Sequence, residues 1–144
     1  MSEHKTRLLI KAPLQRVWDI WVDVEKTPEW VHGVQSSEIT AGGPGQGLCW
    51  KETGVVDGMP IPMEHSFLVW EPLHKTEIHT VLPLGGTMNR VVEFSENEEG
   101  TLVDVTMTWE LGMIAMMISP EKIQTQIEES FEITAKNWKT KAES

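Results

Sequence analysis

The chain has 144 residues, 40% apolar and 24% charged, with a formal net charge of −10; this is the balance of a soluble globular protein. Its length fits one domain, 1–144, able to bury roughly two-thirds of its unfolded surface without a staple, and its acidity argues against nucleic-acid partners, whose phosphates are neutralised by Lys and Arg. The single cysteine, Cys49, excludes an internal disulfide and fits a reducing cytoplasm; no signal-peptide-like run opens the chain, and the longest strongly apolar stretch, Leu111 to Ile118, is far below the roughly 20 residues that span a bilayer.

In chain order, residues 4–12 read as a first strand. Pro13 suits the first turn of a helix, and Val17, Ile20 and Trp21 recur at helical spacing, giving a short amphipathic helix that ends near Asp23. Thr27–Pro28–Glu29–Trp30 predicts a second short helix with Thr27 as its N-cap. Glycines at 42, 43, 45 and 47, with Pro44, then punctuate a tight connection. Six β-type segments follow, at about 34–41, 48–56, 59–71, 75–83, 87–95 and 101–111. The last is the clearest. Val103, Val105, Met107, Trp109 and Leu111 share one face and Asp104, Thr106, Thr108 and Glu110 the other, the period-two pattern of a half-buried antiparallel strand. Glu99–Gly100 before it is a hairpin signal.

The tail is helical. Ser119 can cap, Pro120 fits the first position, and Ile123, Ile127, Phe131, Ala135 and Trp138 trace one stripe; Ile133 lies off it. Successive strands without crossover helices predict an antiparallel meander, and the helical stripe needs the inner face of that sheet. A twisted sheet cannot follow a straight helix closely, so a space between them is expected.

Ile10–Lys11–Ala12–Pro13, Val17–Trp18, Asp23, Trp30, Gly45–Gln46–Gly47 leading to Trp50, Val69–Trp70–Glu71–Pro72 and Gly100–Thr101 occur in an order that resembles the START-like, or SRPBCC, superfamily, closest to its polyketide cyclase/dehydrase branch. The resemblance covers nearly the whole chain. It implies an α+β helix-grip fold: a seven-stranded antiparallel sheet around a long C-terminal helix, with two short helices between strands 1 and 2. It also implies a cavity between sheet and helix for an apolar or aromatic small molecule, and it places Trp30 as packing at the front of the sheet and Trp50 inward. Fold alone does not license a reaction.

Strand parity extends this picture. Val92 and Phe94 want the core, which carries Met88 and Arg90 to the same face. Met63, His65, Phe67 and Val69 are the more apolar choice on 59–71, leaving Trp70 outside. Glu52 follows Trp50. The candidate cavity is therefore Trp50, Glu52, His65, Phe67, Val69, Met88, Arg90, Val105, Met107 and Trp109, covered by Ile127 and Phe131 of the helix. Glu52, His65 and Arg90 are its unusual polar members. An inward Arg90 would pair with Glu52 or an anionic ligand; a bulge near Gly85–Gly86 would instead turn it to solvent. His65 reads as a satisfied or rim histidine, with general-base chemistry as the other option. Among the front tryptophans, Trp21 reads as core and Trp18 as half-exposed. Met113, Met116 and Met117 read either as core filler or as a pliable mouth.

His74, His79 and Cys49 do not have zinc spacing, so no metal and no cofactor is expected. Cys49 shows neither a base nor a cause of lowered pKa that would make it a nucleophile. The expected partner is a hydrophobic or aromatic small molecule bound by a monomer or homodimer. A cyclase or dehydratase using the same cavity is the enzymatic alternative, because cyclisation can come mostly from holding a chain in a reactive shape. An AHSA-type chaperone-interacting module is a third, and would need an exposed apolar patch. Paired acid and base groups in the cavity would favour the enzyme, a purely apolar cavity the binder.

Overall fold

In a computed structural model, which describes residues 2–56 and 58–144, the sequence builds β1 (Ser2–Ile10), α1 (Leu14–Val22), a 3₁₀ turn (Val24–Glu29), β2 (Val34–Ala41), β3 (Cys49–Val56), β4 (Met59–Glu71), β5 (Lys75–Val81), β6 (Thr87–Asn97), β7 (Gly100–Glu110) and α2 (Pro120–Glu143). Two more 3₁₀ turns, Pro83–Gly85 and Gly112–Met116, precede β6 and α2. The strands form one antiparallel sheet in the order β1-β7-β6-β5-β4-β3-β2. This is the helix-grip arrangement.

Local chemistry sets the boundaries. Pro13 stands just before α1, and its carbonyl accepts from Val17 N at 3.1 Å. Ser119 caps α2 by accepting from Lys122 N at 3.2 Å. The β6–β7 turn is held by Asn97 Oδ1, which accepts from the backbone of Glu99 and Gly100. Gly100 has φ 149°, and a Cβ there would run into the Ile10 carbonyl oxygen, so only glycine fits.

The inner face of the sheet follows the alternation in the sequence: Val103, Val105, Met107 and Trp109 on β7, Val92 and Phe94 on β6, and Thr76, Ile78 and Thr80 on β5 are all buried. One strand departs from strict parity. A register shift in β4 between Phe67 and Val69 puts Val69 opposite Glu77 and Trp70 opposite buried Thr76. Beyond this bulge the faces exchange, as one extra residue requires. Val69 is therefore turned off the inner face, contrary to expectation, and Trp70 packs inward at 4.8 Å from Phe67 and 5.6 Å from Trp18.

The front of the molecule is a tryptophan cluster. Trp18 is 5% exposed rather than half-exposed, meeting Phe94 edge-on at 5.2 Å. Trp21 stacks on Trp138 of α2 at 4.9 Å, and Trp30 lies 5.5 Å from Trp138. Trp21 Nε1 donates to Thr76 Oγ1 at 2.9 Å and Trp138 Nε1 to the Val17 carbonyl at 3.3 Å. Arg16 of α1 donates to the Lys141 and Ala142 carbonyls at the end of α2, where free carbonyls favour a cation. These contacts clamp the C-terminal half of α2 to α1.

The α2 stripe buries Ile123, Phe131, Ala135 and Trp138, with Ile127 half-buried, while Ile133 is 43% exposed on the outer side. Truncation of Phe131 to alanine should cost about 3–5 kcal/mol, the usual loss for a buried phenylalanine, and Ile133→Ala clearly less. Denaturant melts of the two variants measure this; equal losses would mean that α2 buries a different face.

Candidate functional site

The polar members of the inner face form one connected network. Glu52 projects from the middle of β3 and is buried. Its Oε2 accepts from Thr27 Oγ1 at 2.7 Å and from Trp50 Nε1 at 3.1 Å, and its Oε1 accepts from His65 Nε2 at 2.9 Å. Thr27 thus serves a carboxylate on β3 and does not cap a helix; the 3₁₀ turn begins earlier, at Val24, and carries Pro28 inside it. On the far side of His65, Nδ1 lies 2.7 Å from Thr80 Oγ1 and 3.2 Å from an Arg90 NH2 group. That same group is 3.4 Å from Thr80 Oγ1.

Donor and acceptor rules fix the protonation. A guanidinium only donates, so Nδ1 of His65 must accept, and the ring proton is on Nε2, facing Glu52. Burial is the largest influence on His65 and pushes it below the ordinary histidine range; the charge of Arg90 acts the same way, against the Glu52 hydrogen bond. Burial alone would raise Glu52, but its hydrogen bonds from His65 and Thr27 and the charge of Arg90 outweigh that and hold the carboxyl below its usual range. Burial also works against the charge on Arg90 while Glu52 supports it; arginine stays protonated regardless. The arrangement is carboxylate, neutral imidazole, guanidinium.

Arg90 lies on the inner face. The β5–β6 register is unbroken from Lys75–Glu93 to Val81–Thr87, so no bulge turns Arg90 outward. It does not pair directly with Glu52, as the sequence suggested, because the His65 ring stands between them. Among the described residues Arg90 has no carboxylate within ion-pair distance. It lies 6.0 Å from the Trp21 ring centroid, at the outer limit of a cation–π contact.

The remaining candidates divide by depth. Trp50, Phe67, Val105, Met107 and Trp109 are buried, with Met107 the most exposed of the five at 3%. Phe131 of α2 is buried as well. Met88, Arg90 and Ile127 are half-buried and form the less covered part of the inner face. It lies toward the end where β3, β5 and β7 finish. Met113, Met116 and Met117 also stand at that end, 60%, 83% and 72% exposed, in and after the turn that leads into α2. They are rim residues and not core filler. Two surface clefts of about 430 and 550 Å³, one beside α1 and one along β1 and α2, contain none of the candidate residues.

Among the described residues no cluster of three His, Cys, Asp or Glu could hold a metal, and no helix is long and apolar enough to cross a membrane. His79 Nδ1 is 2.7 Å from Asn89 Oδ1, and Cys49 Sγ points to the Gly47 carbonyl. Sequence reasoning missed Thr27 and Thr80, both essential to the network. The one available signal for Thr80 was its parity with Ile78, which places it on the inner face.

The model of the polyketide cyclase/dehydrase and lipid transport family matches residues 3–143. The chain belongs to that family. No curated protein matches it in sequence. Among solved structures, this family member is similar to the Zhui aromatase/cyclase from Streptomyces sp. R1128, with 15% identity and a TM-score of 0.83 over 99% of this chain and 93% of that one. It is similar to Ara h 8.0201, with 16% identity and a TM-score of 0.78 over 98% and 97% of the two chains. It also resembles the di-domain ARO/CYC BexL from the BE-7585A biosynthetic pathway, with 19% identity and a TM-score of 0.80; 99% of this chain matches 50% of that one. At such identities the likeness is one of fold.

The protonation pattern of this family member sets its response to acid. His65 is harder to protonate when folded than when unfolded, so its share of stability is complete above its ordinary value of 6.5 and falls as the pH drops below it. Glu52 is also depressed and adds a loss at lower pH, below the ordinary carboxylate value of 4.5. The melting temperature should therefore fall between pH 7 and pH 5 more steeply in the parent than in His65→Gln, which can still donate to Glu52. Parallel slopes would contradict a buried neutral His65.

Proposed function

We propose that the protein binds an apolar or aromatic small molecule at the open end of the inner sheet face, with the polar end of the ligand at Arg90. The supporting observation is the state of Arg90. It is a permanent cation on a largely apolar face, in contact with a neutral histidine and a threonine, and Glu52 is held away behind the histidine. A guanidinium so placed gains from an anionic or strongly polarised oxygen more than it would in water, because the surroundings are apolar. Met88 and Ile127 supply the apolar contacts, and the flexible methionines at the rim can adapt to different shapes. The family's association with lipid transport and polyketides agrees with ligands of this kind.

The cyclase reading uses the same site and has one observation in its favour, the Glu52–His65 pair at 2.9 Å. In that reading Arg90 would stabilise an enolate as charge develops. The base nitrogen of His65, however, is covered by Thr80 and Arg90 and the ring is buried, so the binding reading fits the geometry better.

Two dyes with the same aromatic body test the proposal: anilinonaphthalene sulfonate, which is anionic, and the neutral N-phenyl-1-naphthylamine. Arg90→Met keeps the bulk and removes the charge. The variant should bind the anionic dye at least about tenfold more weakly, the share of one hydrogen bond to a charged group, and the neutral dye about as well as the parent. No binding of either dye to the parent would defeat the binding reading, and equal losses would remove Arg90 as the anchor.

A further inference from the structure

Two hydrogen-bond donors on this face lack a partner. Among the described residues, Arg90 Nε and Trp109 Nε1 are buried and make no hydrogen bond. A buried indole N–H ordinarily finds an acceptor, because leaving it unpaired is unfavourable. The third such group, Trp30 Nε1, lies in the tryptophan cluster beside Trp21 and Trp138. The first two belong to residues of neighbouring strands. The β6–β7 register sets Arg90 opposite Met107 and Met88 opposite Trp109, so Arg90 and Trp109 are diagonal neighbours on one face. Backbones in that relation are about 7–8 Å apart, within reach of two long side chains.

The acceptors near by are already used. Glu52 receives Thr27, Trp50 and His65, and His65 Nδ1 receives Thr80 and Arg90. Neither an indole N–H nor a guanidinium can accept. Arg90 Nε and Trp109 Nε1 are therefore unused donors, and the His65 ring stands between Arg90 and the Glu52 carboxylate.

We propose that Arg90 and Trp109 form a two-point donor site that selects ligands ending in an acceptor-only oxygen, such as a carboxylate, a phenolate or a ketone, and rejects those ending in an amine. This rests on the binding reading above and narrows it to a ligand class. An ammonium end would meet the charge of Arg90, and neither of the two side chains can accept from it. A carboxylate or phenolate would receive both donors, and a ketone oxygen has the two lone pairs to do the same.

The test uses protein with ¹⁵N-labelled tryptophan, which has seven indole N–H groups, and three probes sharing one ring system: 2-naphthoate, naphthalene and 2-naphthylmethylammonium. Trp109→Phe assigns the indole signal of Trp109 by its loss. Naphthoate should move that signal downfield at saturation, and the other two probes should not. Naphthoate should bind Trp109→Phe about tenfold more weakly than the parent, with naphthalene affected far less. Should Trp109→Phe fail to fold, the signal is assigned by exclusion from the other tryptophan variants, and its response in the parent decides. An unmoved Trp109 signal at naphthoate saturation, or equal losses for all probes, overturns the inference. Naphthoate binding that depends on Arg90 but not on Trp109 overturns this inference alone; no naphthoate binding to the parent overturns it together with the binding reading.

Discussion

A carboxylate in the interior is the constraint around which this protein is arranged. Glu52 has a negative charge on a sheet face that also carries the buried rings of Trp50 and Phe67, and an ion left unpaired there would lose several kcal/mol of hydration. The fold answers with donors from three directions: Thr27 from the front turn, Trp50 from its own strand, and His65 from β4. Each donor fixes something else. Thr27 ties the turn after α1 to β3. His65, by donating through Nε2, must accept through Nδ1, and so determines what Thr80 and Arg90 can do. Removing Glu52 would therefore disturb the front turn, the β4–β5 pair and the orientation of Arg90 together.

The tryptophans complement this network by closing the deep half of the interior. Trp138 brings the C-terminal half of α2 down on Trp21 and Trp30, and Trp18 with Trp70 and Phe94 fills the space beside it. Toward the opposite end Trp109 is buried across from Met88. There the inner face carries Met88, Arg90 and Ile127, and the rim carries exposed methionines. The tryptophan cluster thus packs one end, and half-buried apolar side chains with one cation lie toward the other.

Much of this was legible in the chain itself. The alternation in β7, the turn at Glu99–Gly100 and the stripe on α2 each encode their element, because burial on one face imposes a period of two or of about four. The same reasoning offered an inward Arg90, since Val92 and Phe94 need the core, but left a bulge near Gly85–Gly86 as the alternative. Val69 was misplaced because Phe67–Leu68–Val69–Trp70 is apolar throughout; when every residue could be buried, period carries no information about where a bulge falls. Trp18 and Trp70 were read as more exposed for the same reason, each being the lesser of two apolar choices. The Thr27–Glu52 contact and the interposed His65 ring depend on tertiary distances that no local pattern contains.

His65 is neutral, with its proton on Nε2, and so keeps Glu52 from Arg90 and leaves the guanidinium without a carboxylate partner among the described residues. Long-range ¹H–¹⁵N correlation spectra of histidine-labelled protein at pH 7, with His65 assigned by its loss in His65→Gln, measure this directly. The account predicts one protonated nitrogen, Nε2, and a Nδ1 with the shift of an acceptor. An imidazolium, or a ring protonated on Nδ1, would contradict it.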